Sequence, residues 1–263
     1  MTPNECKEIG SFLTSTLRLK TLPVAVKFLS NPGEFPDKTR RPSVALGKRI
    51  TLCQGVTMAR VYGWTVGLTR EDLICVPAMI AFGFSGAEDP VETLGNLFCE
   101  VSFARDPASA KQEVASMCRL ENGEIEAIAL APLEKGLFEP DTVTIHGNAA
   151  QVMRLIQALT FVRPGRVAGN FGGKVECSEY LTAPHKTQAP RVAIPGMGDR
   201  IFSMTQDDEL VFALPGVLLG DLVEGLRESG KKIGARYPVT FYQNFQPEFP
   251  RPYQELGKSL GLF

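Results

Sequence analysis

A mixed fold, α/β or α+β, with two pseudo-repeated strand–helix–strand halves forming one compact unit, follows from three observations. Strand-like alternation and helical apolar stripes are interleaved along most of the chain. Two helices open on the same cap-to-third-position spacing, Thr51 with Gln54 and Asn148 with Gln151. Of the 263 residues, 44% are hydrophobic and 22% charged, enough for a substantial core. The halves are expected at 19–138 and 139–238 within a single domain over 1–238, followed by a tail at 239–263.

The elements follow in order. "TPNECKEIGSFLTSTLRL" predicts a first amphipathic helix: Thr2 caps it, Pro3 fits its first position, and Ile9, Phe12 and Leu13 share a face. "LPVAVKFL" predicts a strand with Val24, Val26 and Phe28 on one side and Lys27 turned to solvent. "SNPGEFPDKTRRP" is a loop, dense in turn residues and charge. A helix runs from the Thr51 cap to near Gly63. "EDLICVPAMIAFGF" is expected as a buried strand or strand-and-turn, "DPASAKQEVASMCRL" as a helix and "EIEAIALAPL" as a strand.

Around Pro140 the pattern starts again. "DTVTIHGN" alternates Val143 and Ile145 with polar residues, and Val152, Leu155, Ile156 and Leu159 stripe the helix that follows. "GRVAGNFGGKVEC" leads to Cys177 much as the earlier passage leads to Cys75. "DDELVFALP" is a strand, and "GVLLGDLVEGLRESG" a helix stopped by Gly230. Alternation of strand and helix favours parallel crossovers, with antiparallel strands added by the cysteine-bearing segments. Aligning the two capped helices sets Cys53 against Ala150, so the halves differ where chemistry is expected. The tail, with "YPVTFYQNFQPEFPRPYQEL", is neither helical nor alternating. Its aromatics point to docking on the body or on a second copy, which allows a homo-oligomer.

Charge narrows the partners. With 28 basic and 29 acidic residues the formal net charge is −1, and no basic run marks a nucleic-acid or membrane surface. There is no apolar stretch of bilayer length, and the polar start is unlike a secretory signal, so a cytoplasmic location is expected. Cys6, Cys53, Cys75, Cys99, Cys118 and Cys177 are scattered without a CxxC pair, which argues against a disulfide framework. His146 and His185 are the only histidines, excluding a histidine-rich metal site.

Cys53 lies in the first turn of the Thr51 helix, among N–H groups without helical partners. The helix dipole there favours a thiolate, lowering its pKa below the free value of about 8.5 if the site opens to a cleft, while apolar burial opposes this. A thiolate is a metal ligand or a nucleophile; a neutral thiol is a small apolar filler. Gln54 is accounted for by the cap. Arg60, two turns on, is either a counter-charge to the same pocket or, slightly preferred, an exposed helical arginine. "GNFGGK" (Gly172, Gly173) and "PGMGDR" (Gly198, Asp199, Arg200) are tight turns or cradles for an anion, but neither a P-loop nor a dinucleotide fingerprint. Asp199 and Arg200 either pair, orient a ligand or point apart. His146 ends a strand before a helix start, where open α/β sheets place their sites, although a satisfied structural histidine is the better expectation.

The segments "LPVAVKF", "CQGVTMAR", "LICVPAMIAFGF", "APLEKGLFEPDTVTIHGNAAQVMRLIQAL", "VECSEY", "PGMGDR" and "DDELVFALP" occur in an order that resembles the DUF169 (ArCR) family. Its members are uncharacterised bacterial and archaeal proteins, frequent in anaerobes. The resemblance spans about Leu19 to Pro238. It implies that Cys53, Cys75 and Cys177 stand at family cysteine positions, whereas Gly196 stands where the family pattern usually carries a fourth. Three converging thiolates suit an iron–sulfur cluster or a zinc ion, with a position left open to substrate. Two functions are therefore expected as competitors. One is a cytoplasmic metal or iron–sulfur protein in redox or cofactor chemistry of anaerobic metabolism. The other is a non-catalytic module binding a small anionic metabolite or cofactor between the halves, its cysteines merely packed.

Overall fold

Thr2 opens the first helix as its sequence predicts. Its hydroxyl accepts from the Glu5 N–H at 3.3 Å, and the Glu5 carboxylate returns to the Thr2 N–H at 2.7 Å. The computed structural model describes residues 1–233, 237 and 249–262. Helix α1 (Pro3–Leu17) leads to β1 (Val24–Leu29), a single turn α2 (Pro42–Ala45), α3 (Leu52–Arg60) and β2 (Val66–Leu68). Three helices follow, α4 (Val76–Ala81), α5 (Pro90–Glu100) and α6 (Pro107–Ser116), and then β3 (Ala127–Pro132). The second part runs β4 (Thr142–Gly147), α7 (Ala149–Val162), β5 (Ala168–Gly169), a π-helical turn at Ser178–Thr182, α8 (Ala183–Thr187), β6 (Arg191–Ala193), α9 (Met197–Phe202), β7 (Leu210–Pro215) and α10 (Leu219–Glu228). After the residues outside the description comes α11 (Arg251–Ser259).

Mixed α/β architecture is thus observed, but the crossovers are not those expected. The described strands form one sheet in the order β2-β3-β1-β4-β7-β6-β5, and within it only the two-residue β5–β6 pairing is parallel. The segment holding Cys75 adds no strand. Asp72 folds back on Thr69 to close a 3-10 turn, Leu73 makes an isolated bridge to Ile50, and Pro77 sits in the first turn of α4. A short apolar run reads alike as buried strand or buried helix, and here the helix prevails. The tail expected to lack helix contains α11, while 238–248 lie outside the described residues.

Strand order reads symmetrically outward from the β1–β4 pair, yet the two capped helices do not follow that symmetry. Leu52 and Val56 of α3 pack with Val24, Val26, Ile128, Leu130, Val211 and Ala213 on one face. Val152, Leu155 and Leu159 of α7 pack with Ala25, Val143, Ile145, Phe212 and Leu214 on the other. An axis relating antiparallel β1 to β4 would keep both helices on one side. The pseudo-repeat therefore stays an expectation. On the α7 face, α10 approaches so closely that a Cβ on Gly225 would lie 1.8 Å from the Ala158 carbonyl oxygen. Lys27, expected in solvent, pairs with Asp141 at 2.8 Å.

Candidate functional site

Cys53 sits where the cap places it. The Thr51 hydroxyl accepts from the Gln54 N–H at 3.2 Å and the Gln54 carboxamide oxygen accepts from the Thr51 N–H at 2.8 Å, completing the expected box. The thiol contacts the Thr51 hydroxyl at 3.0 Å and donates to the Gly198 carbonyl at 3.6 Å, tying α3 to α9. Cys75 is the N-cap residue of α4, half-buried, and Cys177 precedes the π-helical turn in the core.

The charge of Asp199 helps to raise the pKa of all three thiols. Burial is the larger cause in every case, and it pushes Cys53 up to about 11. That reverses the expectation for Cys53. Desolvation together with the Asp199 charge outweighs the helix terminus, so this thiol is neutral at ordinary pH. Asp199 is itself raised by burial, against hydrogen bonds from the Tyr180 hydroxyl at 2.6 Å and the Gly196 N–H at 3.1 Å, with help from Arg60.

The other expected residues divide. Asp199 joins the cluster and Gly198 lends it a carbonyl, whereas Arg200 turns away to the Gln206 carbonyl at 2.8 Å. Arg60 is not the exposed arginine preferred from its position. It is 2% exposed, paired with Glu209 at 2.9 Å, and it donates to the Thr205 hydroxyl at 3.4 Å, fastening α3 to the loop before β7. Gly172 and Gly173 do cradle an anion, but it is the chain's own: both N–H groups donate to Glu176 Oε1, the first at 2.7 Å. Glu176 is raised to about 7, chiefly by burial.

His146 departs from its expectation as well. It is buried 6.0 Å from the Tyr180 ring centre, its Nδ1 has no partner, and burial holds it neutral. Thr144 Oγ1 on β4, Thr182 Oγ1 and Ser178 Oγ on the π-helical turn, and Glu176 Oε2 are likewise buried and unpartnered. Buried polar atoms without partners are rare, and π-helical turns recur at functional sites. Tyr180 and Glu176 carry no chemical pattern of their own in the sequence. Their only signal was membership of "VECSEY", one of the segments that carry the family resemblance.

The thiols are donors of the right kind for a soft metal or cluster. Their positions here are not those of a formed site: among the described residues, no three His, Cys, Asp or Glu side chains are grouped to hold a metal ion. No helix among the described residues is long and apolar enough to cross a membrane.

A family model described as DUF169, uncharacterised ArCR, matches residues 12–225. An uncharacterised protein of Methanocaldococcus jannaschii is 28% identical over 228 residues, covering 86% of this chain and 95% of that protein. No solved structure gives a significant match.

Proposed function

The chain belongs to the DUF169 family, and from that premise we propose that it is a cytoplasmic protein built around a thiol centre. Cys53, Cys75 and Cys177 would take up a thiophilic group, an iron–sulfur cluster or a zinc ion, for redox or cofactor chemistry. What supports this reading is that three buried or half-buried cysteines, from segments far apart in sequence, all feel the charge of one buried carboxylate, Asp199. Half-buried Cys75 supplies the approach from solvent. Each thiol is protonated as it stands, so uptake of a metal would release protons and draw the three sulfurs together.

A second reading rests on the same upward shifts. Neutral buried thiols are also ordinary core filler, and the protein would then be a binding module with packed cysteines. Anaerobic purification separates the two. Iron with acid-labile sulfide, or stoichiometric zinc, that disappears in Cys53→Ser, Cys75→Ser and Cys177→Ser supports the thiol centre. Colourless, metal-free protein that stays so after anaerobic reconstitution refutes it.

A further inference from the structure

The cavity beside the Gly172–Gly173 turn is lined by the residues on either side of Cys177 but by none of the three thiols, and its polarity is the reverse of what a glycine-rich turn suggests. Its volume is about 80 Å³, and Glu113, Asn170, Lys174, Glu176, Ser178 and Glu179 are among the residues that line it. The turn's N–H groups, the usual donors to an anion, are already taken by Glu176 Oε1. Lys174 is taken too, its ammonium held by both oxygens of Glu113 at 2.5 and 2.6 Å. Glu179 accepts through Oε1 from the Cys118 N–H at 3.3 Å and the Asn170 carboxamide at 3.2 Å. What remains are oxygens. Glu176 Oε2 and Ser178 Oγ are unpartnered, on side chains 1% and 0% exposed. An orphaned buried carboxylate oxygen costs free energy until a donor meets it.

We propose that this cavity binds a small primary ammonium group, ammonium itself or a methylammonium-sized amine, through Glu176 Oε2, the Ser178 hydroxyl and the Glu179 carboxylate. An ammonium nitrogen directs separate N–H donors to separate acceptors, which suits oxygens spread around a cavity. A metal ion needs its ligands gathered on one point, and among the described residues no such grouping exists. The volume exceeds the roughly 10–15 Å³ that one water requires, leaving space for a group of a few heavy atoms. An anion would face the Glu176 and Glu179 carboxylates, with the Ser178 hydroxyl as a neutral donor and the Lys174 ammonium already paired to Glu113.

Methylammonium chloride titrated into full-length protein at pH 8, in sodium buffer free of ammonium, tests this by calorimetry and thermal shift. Saturable binding is expected, displaced by ammonium but matched by neither potassium nor tetramethylammonium, which offer no N–H donors. Glu176→Gln should weaken it by about tenfold or more, the loss of one charge-assisted hydrogen bond. Ser178→Ala, a smaller change, guards against a folding defect and should weaken it in the same direction. A Cys53→Ser variant should bind as wild type does, which keeps this outcome separate from the fate of the thiol centre. Absence of saturable binding, equal binding by potassium, or full affinity in both cavity variants would overturn the proposal.

Discussion

Glu176→Gln is also the most informative substitution for stability. The side chain is buried, with Oε1 on two backbone N–H groups and Oε2 on nothing. A glutamine keeps an oxygen for the turn, puts an NH2 group in place of Oε2 and removes the capacity for charge. The wild-type carboxyl is raised from 4.5 to about 7, mainly by burial and further by the nearby Glu179 and Asp199 charges. The folded state therefore holds this proton more tightly than the unfolded chain does. The stability it contributes is fully present below pH 4.5 and is lost as pH rises through about 7. Across that window the loss is on the order of 3 kcal/mol, at about 1.4 kcal/mol per pH unit. Urea denaturation of both proteins at intervals from pH 4 to 9 gives the difference in unfolding free energy directly. Groups that titrate alike in both cancel, and the glutamine variant should gain on wild type from pH 4.5 upward and level off above 8. A difference that is flat across this range, or that falls, would show that the carboxyl is hydrated and that its burial has no energetic consequence.

Three other outcomes follow from contacts described above. Gly225→Ala should destabilise by about 1–3 kcal/mol or more in thermal melts, because a methyl group cannot enter the space of the Ala158 carbonyl without separating α7 from α10; an unchanged melt would mean the helices are not in contact there. Arg60→Met leaves the Glu209 carboxylate buried without its cation and should cost about 3–5 kcal/mol, while the double change with Glu209→Leu should recover much of that loss; no recovery would mean that the pair itself matters little. Timed alkylation of metal-free protein at neutral pH, read by peptide mass spectrometry, should find half-buried Cys75 and Cys99 modified well before buried Cys53 and Cys177; early labelling of Cys53 would restore the helix-terminus thiolate that burial here overrides.

How far the sequence anticipates this structure depends on whether a feature is local. The caps at Thr2, Thr51 and Asn148 are satisfied within four residues, and each forms as its spacing predicts. Strands β1, β3, β4 and β7 announce themselves by alternation or by apolar runs. Three-residue β2 is too short to stand out, whereas α5 does carry a start signal, Asp89 capping Glu92 with Pro90 at the first position. Strand direction is a property of what lies across the sheet, so local alternation of helix and strand could not fix it. The site divides in the same way. Cys53 at a helix start is legible, but its protonation is decided by burial in the folded core, to which the Asp199 charge, more than a hundred residues distant, adds. A glycine-rich turn advertises donors without saying which acid will occupy them, and here Glu176 does so from within the same loop.

The β1–β4 pairing at the middle of the sheet has a consequence for how the molecule comes apart. β1 meets β3 over six residue pairs and β4 meets β7 over six, but β1 meets β4 over only three, Val24 to Val26. Beyond Val26 a single residue continues the join: the Asp141 N–H donates to the Val26 carbonyl at 2.9 Å, and its carboxylate accepts from the Phe28 N–H at 2.8 Å. The sheet thus has a seam, two well-zipped ladders stitched together by a short length of backbone and one aspartate. Cooperative units in proteins tend to divide where such cross-links are sparse. Hydrogen exchange should then group the amides of the β1–β3 and β4–β7 ladders separately, with Asp141 at the line between the two groups.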